Sequence, residues 1–263
     1  DRSDDPTARR GVEYHARPGA EDGPARQSRS SHAGASADSA HEGATRMLNT
    51  LIIGAGGHGK VVLDILRAGG LCRPVGFVDA DPRLHGTTVG GLPVLGGVHQ
   101  LARLAGPAKA TAVVIAIGDN RARAGYAAEV AGAGLRLVNA VHPSAVVAES
   151  AVLGVNVVVA ANAVVCAEAR VGDHAIINTA ATVDHECDVG PGVHICPGAH
   201  LAGRVRVDVN AVVGLGANVI QCLRIGAGAT VGAGAVVLRD VPAGATVVGV
   251  PARVVKMATL SAA

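Results

Sequence analysis

Aromatic side chains are nearly missing from this chain: Phe77, Tyr14, Tyr126 and no Trp among 263 residues, although 49% of them are hydrophobic. A core without large rings must be filled by Val and Ala, which suits a thin solenoid better than a thick sandwich. No uninterrupted apolar run approaches the ~20 residues of a membrane span, and no apolar h-region marks the N-terminus. Charge of one sign is missing too. Lys and Arg number 23 against 21 Asp and Glu, net +2, with no cationic block, so neither nucleic acid nor a membrane is implied as a partner. The five cysteines, Cys72, Cys166, Cys187, Cys196 and Cys222, make no CxxC and no metal-ligand spacing. An odd number leaves one unpaired in any disulfide scheme, so reduced thiols in a cytoplasmic protein are expected.

Residues 1–46 lack Leu, Ile and Phe and cannot bury enough apolar surface to offset ordering entropy. They are expected to be a disordered tail, with Met47 a candidate start. From Leu48 the pattern becomes strand, glycine turn, helix. Leu51–Ile53 reads as a strand, Gly54–Gly59 as a turn, and Lys60–Ala68 as a helix with Val61, Val62, Ile65 and Leu66 inward. Further strands at 75–78, 113–117 and 135–138 and a helix over 121–131 predict a small parallel α/β, Rossmann-like domain spanning 47–141.

Beyond it, every sixth residue from Val141 to Val237 is Val, Ile or Leu without a slip of register. Six matches neither a helix nor a heptad, but it does match short strands joined at regular corners around a narrow core, a hexapeptide β-helix over 142–240. Four residues past each aliphatic position the side chain is nearly always small, as at Ala163, Ala181, Cys187 and Ala199. Gly often follows the aliphatic residue, as at Gly154, Gly172, Gly190, Gly214, Gly226 and Gly232, where positive φ at a corner is expected. At about eighteen residues and 4.8 Å per coil the run predicts roughly five coils. Residues 238–244 are then expected to turn out of the prism, with 241–263 forming a capping tail.

Three places could carry chemistry. Gly54-Ala55-Gly56-Gly57-His58-Gly59 matches GxGxxG, with Asp79 twenty residues beyond Gly59, the arrangement of a dinucleotide site. The domain has room for only half of the two-lobed dinucleotide fold, so a phosphate-bearing ligand on the helix N-terminus is the safer statement. Gly118, Asp119 and Asn120, at the carboxyl end of a strand, fall where such sheets bind ligands. In the solenoid, Val183 and Cys187 take inward phases, which puts His185 and Glu186 on the surface, a histidine beside a carboxylate suited to general-base work. His194 and His200, six apart, occupy equivalent phases on successive faces. Zinc is the rival reading for these histidines, but the five-residue His pair of gamma-class carbonic anhydrases is missing, and no metal is expected.

The order of Ile53–Gly59, Ile115–Asn120, His142-Pro143-Ser144-Ala145, Asn178-Thr179, Asp184-His185-Glu186-Cys187 and Val248–Ala252 resembles the sugar acetyltransferases of the sialic acid O-acetyltransferase (NeuD) and bacillosamine-pathway (PglD) family, over residues 48–256. The resemblance implies a left-handed β-helix, a homotrimer, acetyl-CoA in grooves between prisms, and a nucleotide sugar on the N-terminal domain. His185 then matches the catalytic base and Glu186 the carboxylate that raises its basicity. His194, Gly203, Leu215 and Ala233 match the acetyl-CoA site, and Gly56, Gly57, His58, Asp79, Gly118 and Asn120 the sugar site. Ala233 stands at a glycine position of relatives, and Asp184 at a Glu of some. The implied activity is acetyl-CoA-dependent N-acetylation of a nucleotide-linked 4-amino-4,6-dideoxy sugar. The alternatives are O-acetylation of sialic acid or a related sugar, and a non-catalytic trimeric accessory protein.

Overall fold

A computed structural model describes residues 47–257. The tail expected to be disordered, 1–46, and the end of the capping tail, 258–263, lie outside the described residues. The N-terminal sheet has four parallel strands in the order Cys72–Val78, Leu48–Ile53, Ala112–Ile115, Arg136–Leu137. Leu51, Ile52, Ile53, Val113, Val114 and Ile115 are all fully buried, the apolar run that a parallel strand covered on both faces requires. Helix Gly57–Gly69 buries Val62, Leu63, Ile65 and Leu66. Val61, expected inward, is exposed, because the helix turns it away from the buried stripe of Gly59, Val62, Leu63 and Leu66. Helix Asn120–Gly132 is capped by Asp119, whose side chain accepts from the Ala122 N–H at 2.8 Å.

The solenoid is a three-faced prism. Its first face stacks strands at Ala140–Val141, Val158–Val159, Ile176–Ile177, His194–Ile195, Val212–Val213, Thr230–Val231 and Ala245–Val248. The second runs from Val146–Val147 through Thr182–Val183 and His200–Leu201 to Val236–Val237, and the third from Val152–Leu153 through Asp188–Val189 to Arg224–Ile225. Partners lie eighteen residues apart, as at Ile176↔His194 and Thr182↔His200. Every aliphatic position from Val159 to Val237 is buried, and the small side chains between them meet on the axis.

Two expectations are corrected. Residues 238–244 do not leave the prism: Val241 bridges to Ile225, and Val247 pairs with Val231 after a coil shortened to sixteen residues. The prism thereby gains a coil beyond the expected five, and Arg253–Met257 closes the edge of the first face as an antiparallel strand. The glycines after the aliphatic positions do not supply positive φ. That conformation falls two residues later, at every sixth residue from Asn156 to Gly234, with φ between 54° and 66° at all fourteen. The glycines answer to crowding between coils instead: a Cβ on Gly172 would lie 2.7 Å from the Pro191 nitrogen of the next coil.

The N-terminal domain sits on the edge between the third and first faces. Outward residues Ala140, Val158 and Ile176 share one apolar cluster with Ala55, Ala116 and Val138. Above that cluster the next outward residue of the first face is His194, followed by Val212 and Thr230. The edge residues Asn156, His174, Gly192 and Asn210, one per coil, are each hydrogen-bonded by the segment 115–123.

Candidate active site

His185 and Glu186 occupy the edge between the second and third faces, where Glu186 takes the left-handed corner conformation, φ 57°. His185 Nδ1 lies 3.0 Å from Glu186 Oε2, and Arg204, one coil further on, donates from Nε to the same oxygen at 2.9 Å. Hydrogen bonds from His185 first and Arg204 second hold the Glu186 carboxyl below its usual range. A carboxylate at Nδ1 favours the tautomer with its proton there, leaving the Nε2 lone pair outward. Beneath the ring lies Gly203, where a Cβ would collide with His185 Nε2 and come within 2.6 Å of Cε1. Gly203 is therefore also the floor on which the imidazole rests.

His194 lies elsewhere on the prism, on the first face. Its Nε2 is 3.0 Å from Asn178 Nδ2, and Asn178 Oδ1 accepts from the Thr179 N–H at 2.8 Å. Asn178 can only donate through Nδ2, so His194 Nε2 accepts. The His58 ring stands 6.5 Å away, centroid to centroid, bringing the glycine turn and the solenoid to one place. His58 Nε2 is buried with no partner among the described residues. Burial, then the neighbouring His194 and Arg123, pulls His58 down to about 4. Burial and then Arg123 bring His194 to about 4 as well, with the Gly118 main chain acting in the opposite sense. Both rings are neutral at pH 7.

The remaining expected positions separate by role. Gly56 and Gly57 are exposed and face open space at the start of the helix. Asp79 spends both oxygens on the main chain, accepting from Ala55 N–H at 2.7 Å and Asp81 N–H at 2.8 Å, so it shapes the turn. The Asn120 amide donates to the Asn210 and Ala211 carbonyls, both at 3.2 Å, and its Oδ1 accepts from Arg123. Gly118 lies between Arg123 and His194. Leu215, exposed, and Ala233 stack eighteen residues apart on the edge between the first and second faces. His185 with Gly203 and His194 with His58 thus occupy separate regions of one prism, divided by the third face, on the order of 15 Å of extended chain.

Cys187 is an unsuitable nucleophile, buried, with its thiol donating to the Ala202 carbonyl at 3.2 Å and pushed up to about 11 by burial. Among the described residues no group of three His, Cys, Asp or Glu is placed to hold a metal ion. Three residues of the site were not singled out from the sequence. Arg204 was findable, since it lies eighteen residues from Glu186 and so one coil away. Asn178 stands in a motif but gave no sign of its bond to His194. Arg123 gave no sign at all, since its partners lie 51 and 69 residues away.

The family model of the PglD N-terminal domain matches residues 49–130. No curated protein sequence gives a significant match. A histidine-to-alanine variant of GDP-perosamine N-acetyltransferase from Caulobacter crescentus, solved with CoA and GDP-perosamine, is 44% identical, covering 79% of this chain and 97% of that one, with a TM-score of 0.75. The acetyltransferase domain of PglB from Neisseria gonorrhoeae, solved with acetyl coenzyme A, is 41% identical over 80% of this chain and 100% of that one, TM-score 0.74. WeeI from Acinetobacter baumannii is 30% identical over 80% and 100%, TM-score 0.73. With such relatives matched over nearly their whole length, through both the glycine-turn domain and the prism, the chain belongs to the NeuD/PglD-type family of hexapeptide-repeat sugar acetyltransferases.

Proposed function

We propose that this protein is an acetyl-CoA-dependent N-acetyltransferase whose acceptor is a nucleotide-linked amino sugar of the 4-amino-4,6-dideoxy type. The observation that carries the proposal is the His185–Glu186–Arg204 chain on an open edge, in a protein 44% identical to one solved with CoA and a nucleotide amino sugar. The sugar amine attacks the thioester carbonyl. His185 Nε2 takes the amine proton, and Glu186, held ionised by Arg204, stabilises the imidazolium. The carbonyl re-forms as the C–S bond breaks, the amide is released, and the CoA sulfur leaves as thiolate and takes up a proton. The Gly203 main chain is the proposed support for the developing oxyanion. His58, whose Nε2 has no partner among the described residues, and Gly118 receive the nucleotide sugar, while His194, Leu215 and Ala233 face the coenzyme.

The separation of His185 from His194 and His58 within one chain supports a site shared between copies, and with it a homotrimer. The second face favours this arrangement. Its outward strand residues are Val146, Val164, Thr182, His200, Asn218 and Val236, with no formal charge, whereas the third face presents Arg170, Asp188, Arg206 and Arg224. An uncharged face can be buried against a neighbouring copy without unpaired ions. No helix among the described residues is long and apolar enough to cross a membrane, and the five free thiols fit a reducing cytoplasm.

The test is CoA thiol release from acetyl-CoA in the presence of GDP-, UDP- and dTDP-linked 4-amino sugars or free sialic acid. A nucleotide 4-amino sugar is expected to accelerate release. Acceleration by sialic acid alone, or by none of them, contradicts the proposal.

A further inference from the structure

Arg123 is fully buried, and among the described residues no carboxylate lies within bonding reach of it. Its donors go almost entirely to main-chain oxygens. Nε donates to the His174 carbonyl at 2.6 Å and Nη2 to Gly192 at 3.0 Å, two successive corners of the prism edge. Nη1 donates to Ile117 at 2.7 Å and Gly118 at 3.2 Å, in the strand-to-helix turn of the N-terminal domain, and Nη2 also holds Asn120 Oδ1 at 2.9 Å. Asn120 carries the grip one coil further, to Asn210 and Ala211, and Asn156 Oδ1 accepts from the Ile115 N–H one coil before, at 2.8 Å. The corners at 156, 174, 192 and 210 recur every eighteen residues, so they form a ruler against which residues 115–123 are set.

Packing alone does not call for this. Burying a guanidinium is expensive, and an apolar residue of similar volume would fill the space at no such cost. The fork instead supplies direction: a rigid set of donors fixes the 117–120 turn to the prism in one register. That turn lies beside His194, which faces His58 on the glycine turn. We infer that Arg123 is a positioning residue for the transfer reaction: its guanidinium locks the turn that borders the sugar site to the prism coil bearing His194, so that the acceptor amine and the thioester meet at a set distance. The inference rests on the proposed acetyl transfer for its kinetic meaning, but its structural half stands without it.

The experiment compares the full-length protein with Arg123→Lys, which keeps stem and charge and loses the fork, and with Arg123→Met. Displacement of a reacting group by about 1 Å costs on the order of 100-fold. In Arg123→Lys, kcat is expected to fall at least about tenfold while KM for acetyl-CoA and the Kd for nucleotide sugar stay within about threefold; Arg123→Met falls further. Amide hydrogen exchange is expected to speed up at 117–120 and at 192–194 in both variants, with the prism core unchanged. A kcat within twofold of the parent in both variants overturns the inference, as does an equal loss in kcat and in coenzyme affinity. If the parent itself fails to transfer acetyl groups, the functional reading falls, and exchange alone decides: unchanged protection at 117–120 in Arg123→Lys refutes the lock.

Discussion

Gly203→Ala separates the geometry of the base from the stability of the fold. Gly203 is not in the left-handed region, since the positive-φ corner of its coil is Arg204. The backbone therefore accepts a β-carbon, and through the unfolded state alone the substitution favours folding by about 0.4–1 kcal/mol. The obstacle is the imidazole: the new methyl would collide with His185 Nε2 and lie 2.6 Å from Cε1. Ordinary carbon contacts need about 3.5 Å or more, so the ring must move by roughly 1 Å. His185 is half exposed and has room to move, which keeps the global cost small. The movement draws Nδ1 off the Glu186 carboxylate and displaces Nε2 from the attacking amine, and a shift of that size costs about 100-fold in rate. Thiol-release kinetics with a nucleotide 4-amino sugar should show kcat lowered between about 10- and 100-fold, with the thermal midpoint unchanged or raised. Parental turnover in a stably folded Gly203→Ala protein would refute the claim that His185 works from this position.

Two further outcomes follow from the fold. His58 and His194, lowered from the ordinary 6.5 to about 4, bind protons more readily unfolded than folded, so their contribution is present above pH 6.5 and is lost as pH falls from 6.5 towards 4. The first to be protonated accounts for up to about 3 kcal/mol; urea unfolding should show this decline, His194→Gln should shrink it, and a flat profile over that range would contradict it. Ala199, fully buried on the prism axis, has no room for a larger side chain, so Ala199→Leu should cost at least about 1–3 kcal/mol, read as a lower denaturation midpoint, whereas an unchanged midpoint would show the axis to be loosely packed.

The prism was legible because its rule is local: an aliphatic residue every six positions assigns each residue to core or surface. It placed His185 and Glu186 outside and Cys187 inside, as the structure has them. The left-handed corner was misassigned because a glycine has two uses. At Gly172 it clears the next coil, while the positive φ falls two residues later at His174, which bears a side chain. The last coil was hidden by its shortened spacing, which breaks the register after Val237. Asn120 and Asp79 stand where ligand-binding side chains stand in α/β sheets, and nothing local reveals that Asp79 accepts from main-chain N–H groups or that Asn120 is shared between main-chain carbonyls and Arg123. The meeting of His58 with His194 depends on how two domains dock, through Arg123 and residues scattered over about a hundred positions, and no periodicity records that.

We propose that the base on one edge of the prism serves substrates held beside His194 of another copy. This is tested most directly by mixing two variants, His185→Ala and His194→Ala, each expected to lose about 100-fold in activity as pure protein. Dissociated and reassembled together in equal amounts, they should regain about a quarter of parental activity, because a quarter of the shared sites then combine both intact residues. Co-assembly with no activity above that of the separate variants would contradict a site built from His185 of one chain and His194 of the next.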